Sequence, residues 1–504
     1  MKRGRKLYTI ANSMTAVLSN ITIMLCSFGI KAILARKFAT DYVGLEGYFA
    51  NVIGIFSFTE GGFSIATAYC LFAPIHNEKY DLAASIMKYI RKIYLIIGGA
   101  IAAVSLLFAI FIGLFTSGIA IATNEIRLYF LIYAFGTSIS YIWSYQRIYI
   151  YALQKSYVTT IVDTLSRLLS SIISIAVIIY FDNYLLYLMI ITCGKIVENI
   201  VISKYESMRV RLGVKNAGNL DPDTKHNILE QVKTLTYENV CYLGVASTDN
   251  IIIAALLNGT VLAKNSVYAT VVSACVAFTN ALLHGVSAPI GDLVAEGNKL
   301  KIKEYADRYI FVYIYISSMW TVGIGVLART FVAIWVGQEF CFDVWTTIIL
   351  AISVFFQIIQ QPLGDLVNVG GLFIEYKKYA IGAPIINISL SVVFTYFLGI
   401  RGVYIGTIFA YAYLAVTSFL VIHKNTYKIS ARKHTRILIC ALFLIILVYL
   451  VGNLLVIQTS IGYIILYGML IVLIHTLVAY IFWHKTNEYI YFRKFLKRLA
   501  IRKK

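Results

Sequence analysis

The stretch YFANVIGIFSFTEGGFSIATAYCLF, residues 48–72, decides the fold because it is long and apolar and yet contains a carboxylate, Glu60. A helix needs about 20 such residues to cross about 30 Å of hydrocarbon. A charge held against lipid at the centre of a bilayer costs at least about 2.5 kcal/mol. The stretch therefore predicts a membrane-spanning helix whose Glu60 faces protein or a water-filled cavity.

The rest of the chain has the same apolar character. Of its 504 residues, 60% are hydrophobic and 13% are charged, whereas soluble domains carry about 25% charged residues. Apolar runs recur from end to end, so we predict an all-α polytopic membrane protein with about 14 transmembrane helices. The predicted spans are 9–35, 44–73, 93–117, 126–150, 161–181, 185–205, 232–257, 265–294, 308–335, 344–369, 380–400, 403–422, 437–457 and 462–483.

The net charge of +20 is explained by topology. Most Lys and Arg residues fall in alternate loops and at the two ends of the chain, and the positive-inside rule assigns those segments to the cytoplasm. Both termini are therefore predicted to be cytoplasmic. The basic segments are expected to contact anionic membrane lipids, and no nucleic-acid partner is expected.

The cysteines and histidines do not predict a metal or cofactor site. The seven cysteines show no C-x-x-C spacing and mostly fall inside apolar runs, so neither a disulfide framework nor a zinc site is indicated. The histidines are scattered, and only His284 lies on a polar face of a predicted span. We expect neither a cofactor nor a bound metal.

An internal repeat divides the predicted spans into two halves. YFANVIGIFSFTE, beginning at Tyr48, aligns with YATVVSACVAFTN, beginning at Tyr268, and Glu60 falls on Asn280. The offset contains an even number of spans, so the halves would share one orientation, as in parallel transporter repeats. The predicted domains are an N-terminal six-helix bundle at 1–205, a cytoplasmic linker at 206–231, a C-terminal six-helix bundle at 232–422, two additional transmembrane helices at 437–483 and a basic cytoplasmic tail at 484–504.

Several spans carry polar side chains at helical spacing, which places those side chains on one face of each helix. In the first half these stripes are Ser57, Glu60, Ser64 and Thr67; Thr137, Ser140, Ser144 and Arg147; Asp163, Ser166, Arg167, Ser170 and Ser174; and Lys195, Glu198 and Asn199. In the second half they are Ser273, Asn280, His284 and Ser287, and Gln357, Gln361, Asp365 and Asn368.

Two interpretations of the charged stripes stay open. Asp163 and Arg167, like Lys195 and Glu198, are spaced to neutralise each other within one helix. Alternatively, the cations line a cavity for an anionic substrate, and a phosphate or pyrophosphate group suits them best. The candidate binding residues are Lys31, Arg147, Arg167 and Lys195. Of these, Lys31 and Arg147 are the stronger candidates, because neither has an acid within one helical turn.

The acids inside predicted spans have two candidate roles. Glu60, Asp249 and Asp365 are candidates for coupling transport to H⁺ or Na⁺, or for structural counter-ions of the buried cations. For Glu60 the partner to test first is Lys31. Glu60→Gln separates the two roles, because the isostere preserves a structural hydrogen bond but abolishes proton exchange.

Longer stretches resemble a known family. They are ARKFATDYVGLEGYFANVIGIFSFTEGGFSIATAYCLFAPI (35–75), STDNIII (247–253), SAPIGDL (287–293) and GGLFIEYKKYAIGAPIINISLSVVFTYFLGIRGVYIGTIFAY (370–411). Together they resemble bacterial capsule and O-antigen repeat-unit flippases of the multidrug/oligosaccharidyl-lipid/polysaccharide exporter superfamily. The resemblance covers most of the chain. Glu46 departs from the family pattern, in which a neutral residue is commoner, and its role is left open.

The resemblance implies a fold and a function. The fold is two six-helix bundles around a central cavity, with two extra C-terminal helices. The function is alternating-access transport of an undecaprenyl-pyrophosphate-linked oligosaccharide to the outer leaflet of the bacterial cytoplasmic membrane, where a polysaccharide polymerase and assembly proteins would be partners. The intramembrane cations would meet the pyrophosphate.

Two other functions are alternatives for a chain of this composition. A cation-coupled drug exporter of the same superfamily would favour an acidic cavity, which the excess of intramembrane cations disfavours. A membrane polysaccharide polymerase or ligase would need a substantial exterior loop bearing Arg and His, and no predicted exterior loop is that long. The protein is therefore expected not to be an enzyme.

Overall fold

The structure, a computed structural model, describes residues 2–209, 217–296, 299–424, 431–453 and 460–501. Within these ranges the regular structure is helical and no β-strand occurs, which confirms the all-α class. Helices are the expected outcome, because a segment in hydrocarbon must satisfy its backbone hydrogen bonds internally. The chain forms two compact units, Met1–Ser266 and Val267–Lys504.

The helices of the first unit run from the N-terminus to the start of α10. They are α1 (Lys2–Lys37), α2 (Thr40–Phe56), α3 (Phe58–His76), α4 (Tyr80–Phe111), α5 (Thr123–Ala152), α6 (Ser156–Phe181), α7 (Tyr184–Arg209), α8 (Pro222–Ala246), α9 (Asp249–Leu256) and α10 (Gly259–Ala295). The second unit contains the rest of α10 and the helices that follow it. They are α11 (Lys299–Trp335), α12 (Val344–Val369), α13 (Phe373–Ala380), α14 (Gly382–Leu398), α15 (Ile400–Ile422), α16 (Ala431–Asn453), α17 (Ile461–Trp483) and α18 (Asn487–Ile501).

Among the described residues, 11 helices are long and apolar enough to cross a membrane, so the chain is a multi-pass membrane protein. Two further predicted spans are divided in the structure, 44–73 at Ser57 between α2 and α3 and 232–257 at Ser247 between α8 and α9. The span predicted at 126–150 is one continuous helix, α5, whose polar stripe lowers its hydropathy. The count of about 14 spans stays a prediction.

Small residues allow α5, α6 and α7 to pack closely. A Cβ atom added at Gly136 of α5 would meet the side chain of Thr192 on α7, and one added at Gly194 of α7 would meet the side chain of Ser170 on α6. Such small-residue contacts are the usual way for membrane helices to approach each other. They bring the polar faces of the three helices together.

The second unit is organised around α11, which packs against α12, α16, α17 and α18. Its Tyr315 ring lies against Trp483 of α17 and Phe492 of α18. His475 of α17 is completely buried and lies 2.9 Å from the Ser318 hydroxyl of α11. The helices after residue 431 are therefore an integral part of this unit.

A charged network ties α18 to the rest of the second unit. The Lys433 ammonium of α16 donates to Asp307 of α11 at 2.8 Å and to Glu488 of α18 at 2.5 Å. His434 Nε2 lies 3.3 Å from the other Asp307 oxygen. The side chains of Asp307 and Glu488 are only 7% and 6% exposed, so both carboxylates depend on this lysine.

Lys433→Met should destabilise the second unit. The change keeps most of the side-chain volume but leaves two buried carboxylates without their shared cation. Since Lys433 itself is partly exposed, we expect a loss between the about 1 kcal/mol of a surface pair and the about 3–5 kcal/mol of a broken buried pair. Thermal unfolding in lipid nanodiscs measures it. Adding Asp307→Asn and Glu488→Gln to Lys433→Met should restore much of the stability. An unchanged melting temperature in Lys433→Met would contradict the role of Lys433 as the shared cation of the two carboxylates.

Candidate functional site

A cavity of about 420 Å³ lies inside the first unit, among α5, α6 and α7. Hydroxyl and charged side chains make up most of its lining. The lining residues are Thr137, Ser140, Ser144 and Arg147 of α5; Ser166, Arg167 and Ser170 of α6; and Ile191, Gly194, Lys195, Glu198 and Asn199 of α7. Three of the polar stripes seen in the sequence therefore meet at this cavity, and three of the four candidate cations line it.

Arg147 is held by acids from two other helices. Its guanidinium donates to Asp163 of α6 at 2.9 Å, to Glu198 of α7 and, through Nε at 2.9 Å, to the Asn199 side-chain oxygen. The Arg147 side chain is 26% exposed. Asp163 and Glu198 thus pair across helices with Arg147 and not with the basic residues of their own helices.

Arg167 is only loosely paired. One of its terminal nitrogens lies 3.9 Å from Glu46 of α2, while Glu46 also accepts a hydrogen bond of 2.7 Å from the Tyr187 hydroxyl. The Arg167 Nε is buried and has no hydrogen-bond partner among the described residues. This guanidinium therefore retains donor capacity for a further acceptor.

Lys195 makes no ion pair with an acid within the described parts of the chain. Its ammonium lies over the ring of Tyr133, 4.1 Å from the ring centroid. An aromatic face stabilises the cation without neutralising it. Lys195 therefore presents a positive charge at the cavity wall.

Lys31 lies away from this cavity lining. Its ammonium is buried and donates to the Val43 carbonyl at 2.7 Å and to the Ser266 hydroxyl at 2.5 Å. These bonds join α1, α2 and α10 within the first unit. The side chain of Glu60 lies outside the described part of the structure, so the proposed Lys31–Glu60 pair stays a prediction.

The other candidate acids lie elsewhere. Asp249 begins α9 and is half-buried. Asp365 of α12, in the second unit, accepts a hydrogen bond of 2.7 Å from the Tyr309 hydroxyl. Neither lines the cavity. The side chain of His284 also lies outside the described residues.

The sequence reasoning missed Tyr133 and left Glu46 unassigned. Tyr133 precedes Thr137 by one helical turn and so continues the polar stripe of α5, which was the available signal. Glu46 lay in a segment predicted only as an apolar span, and its approach to Arg167 depends on how α2 packs. No spacing within one helix could have shown that contact.

The cavity and its nearest acids carry a net positive charge. Arg147, Arg167 and Lys195 line the cavity. The acids that lie against them are Glu198, in the lining, and Asp163 and Glu46 behind it, and the buried Lys31 interacts with Glu46 as a fourth cation. Four cations against three carboxylates leave one positive charge. No group of three or more metal-binding side chains occurs among the described residues. The arrangement suits recognition of a polar anion.

Solved structures share this fold. The lipid II flippase MurJ in an inward closed conformation aligns with a TM-score of 0.66 at 14% identity, covering 94% of this chain and 99% of that one. An inward-facing MATE family multidrug resistance transporter aligns at 0.61 and 14% identity, covering 81% and 96%. A transporter of the same superfamily from Pyrococcus furiosus, described by the reverse polarity of its binding pocket, aligns at 0.57 and 14% identity, covering 82% and 94%.

No protein-family model and no curated protein matches the sequence. The structural likeness extends over nearly the whole length of each of the three structures. At this level of identity it establishes the fold. The chain has the fold of the multidrug/oligosaccharidyl-lipid/polysaccharide exporter superfamily, as the resemblance in its sequence indicated.

Proposed function

We propose that this protein is a flippase that moves an undecaprenyl-pyrophosphate-linked oligosaccharide repeat unit from the cytoplasmic to the outer leaflet of the bacterial cytoplasmic membrane, by alternating access. The observation that carries the proposal is the cavity among α5, α6 and α7. It places inside a membrane-spanning bundle Lys195, which has no ion pair with an acid among the described residues, and Arg167, which is only loosely paired with Glu46. Intramembrane charges are costly and usually functional. A cation that its own protein does not neutralise is best explained by an anionic ligand.

The chemistry of the lining favours a pyrophosphate group. Arg167 offers a planar fork of donors and Lys195 a compact point charge, and both suit phosphate oxygens. The serine and threonine hydroxyls around them can donate to phosphate or to a sugar. A volume of about 420 Å³ lies near the lower end of small-ligand sites, so the cavity would hold the pyrophosphate and the nearest sugar, with the rest of the oligosaccharide outside.

The extent of the structural likeness supports the flippase over a drug exporter. The lipid II flippase structure covers 94% of this chain and the MATE structure 81%. The difference between these two shares of the chain corresponds to about as many residues as the segment from α16 to α18 contains. We therefore infer fourteen spans, in two six-helix bundles of parallel orientation plus two C-terminal helices, with both termini in the cytoplasm.

The polarity of the cavity bears on the same choice. A drug exporter for cationic compounds needs acids that its own protein leaves unpaired. Here Asp163 and Glu198 are engaged by Arg147 and Glu46 lies beside Arg167, while Lys195 has no acidic partner among the described residues. The net charge of the groups around the cavity is positive, which disfavours a cationic substrate.

Deletion of the gene tests the proposal in the native bacterium. Lipid-linked repeat units should accumulate facing the cytoplasm, because the charged sugar head cannot cross the bilayer unaided, and expression of the wild-type protein should restore their exposure. Access of the units to a membrane-impermeant sugar-modifying enzyme measures the leaflet. Normal exposure in the deletion strain, or increased sensitivity to cationic drugs as its only defect, would contradict the flippase. Flipping in vesicles with and without an imposed pH or Na⁺ gradient tests H⁺ or Na⁺ coupling.

A further inference from the structure

Two carboxylates share one guanidinium at the wall of the cavity. Asp163 of α6 and Glu198 of α7 both accept hydrogen bonds from Arg147 of α5. Their side chains are 33% and 20% exposed, so water screens them only in part. The two negative charges are held near each other by one cation, and any group that draws Arg147 away leaves them facing each other.

The surrounding helices contribute further charged or titratable groups. They are Lys31 of α1, Glu46 of α2, Tyr133 of α5, Arg167 of α6, and Tyr187, Lys195 and Glu206 of α7. Glu46 lies 3.9 Å from Arg167 and also interacts with the charge of Lys31, so Lys31 and Glu46 together add no net charge to the site. Glu206 accepts a hydrogen bond of 3.2 Å from Gln146 and does not line the cavity. The balance in the cavity is therefore set by the three lining cations and the two carboxylates on Arg147.

A pyrophosphate diester would change the sign of that balance. Each of its phosphates carries one negative charge, so the bound dianion and the two carboxylates together would exceed the three cations by one charge. An uncompensated charge in a poorly solvated site is strongly disfavoured. A single proton on either carboxylate removes the excess.

We propose that the Asp163–Glu198 pair takes up one proton when the pyrophosphate diester binds, and that Arg147 then transfers hydrogen bonds from a carboxylate to a phosphate oxygen. The proton comes from water and forms an O–H bond on one carboxylate, and no covalent bond of the substrate changes. Because the carboxylates are coupled, the proton belongs to the pair and not to one residue. The inference rests on the proposed function. It makes binding of the anion at this site depend on the uptake of one proton.

The test uses P1,P2-dimethyl pyrophosphate, a dianion whose own ionisation does not change near neutral pH. Calorimetric titration of the full-length protein in nanodiscs, in buffers of different ionisation enthalpy, counts the protons taken up. The wild-type protein should take up about one proton per bound diester, and its affinity should fall about tenfold for each pH unit on the alkaline side of neutrality. Binding without proton uptake and with a constant affinity would overturn the linkage.

Isosteric variants locate the proton. Asp163→Asn and Glu198→Gln each remove one negative charge, so either variant should bind the diester with almost no proton uptake and an affinity that hardly changes with pH. Glu206 lies on α7, as Glu198 does, but outside the cavity lining, so Glu206→Gln should behave as the wild type. Unchanged uptake in both Asp163→Asn and Glu198→Gln would overturn the assignment to this pair. Absence of binding by the wild type at every pH would overturn the proposed function, and the linkage with it.

Discussion

Arg147→Met should destabilise the first unit by about 3 kcal/mol, the lower end of the range for breaking a buried ion pair. Removal of the guanidinium leaves Asp163 and Glu198 in a partly buried position with no cation between them, and Asn199 without its donor. The loss should lie at the low end of that range because the two carboxylates are 33% and 20% exposed and water solvates them in part. Thermal unfolding in nanodiscs measures the loss.

A matched arginine on the same helix provides the control. Arg127, near the start of α5, donates to the Ala109 carbonyl at 2.8 Å and to Asn124 at 2.9 Å and is not in an ion pair within the described ranges. Arg127→Met should cost about 1 kcal/mol, the usual net contribution of a hydrogen bond, because it leaves no carboxylate without a cation. Asp163→Asn and Glu198→Gln together should recover most of the stability of Arg147→Met. Equal melting temperatures for the two arginine variants would refute the bridging role of Arg147.

Lys195→Gln combined with Arg167→Gln should reduce transport about a hundredfold, because each lost charge–phosphate contact contributes about 1.4 kcal/mol, a factor of about ten. Glutamine keeps a polar side chain in the cavity, so the change isolates charge. Flipping of lipid-linked repeat units, measured by their exposure at the cell surface, gives the transport effect. The affinity for P1,P2-dimethyl pyrophosphate gives the binding effect and should fall in parallel.

Lys204→Gln is the control for this pair. Lys204 lies further along α7 and is exposed, outside the cavity lining. Its replacement should leave both binding and transport close to wild type. Transport that survives the loss of both cavity cations would show that the substrate anion binds elsewhere.

The sequence predicted which polar side chains share one face of a helix, but it did not predict which residues of other helices they contact. The helical period alone placed Thr137, Ser140, Ser144 and Arg147 on one side of α5. The acids that bind Arg147 are 16 and 51 positions away along the chain, so their contact depends on how α5, α6 and α7 pack. Pair rules within one helix pointed to Arg167 and Lys195 as the partners of those acids, whereas the structure brings both acids to Arg147.

The sequence analysis also did not predict the two helix breaks, which lie at Ser57 and Ser247 inside predicted spans. The apolar pattern continues on both sides of Ser57, where neither proline nor paired glycines stand, so nothing local indicated that α2 and α3 are separate helices. At Ser247 the polar run STDN (247–250) was the local signal for a new helix start at α9, and the span prediction passed over it. The role of Glu60 stays a prediction.

All the lining side chains of the cavity come from three successive helices, α5 to α7, and so from one contiguous segment of the gene. The lining charges are thereby encoded apart from everything that follows residue 209. Recombination that exchanged this segment between relatives would carry the preference for an anionic or a cationic ligand with it. In a fold whose solved structures include a lipid II flippase and a multidrug resistance transporter, such an arrangement would let ligand specificity diverge while the rest of the chain is inherited unchanged.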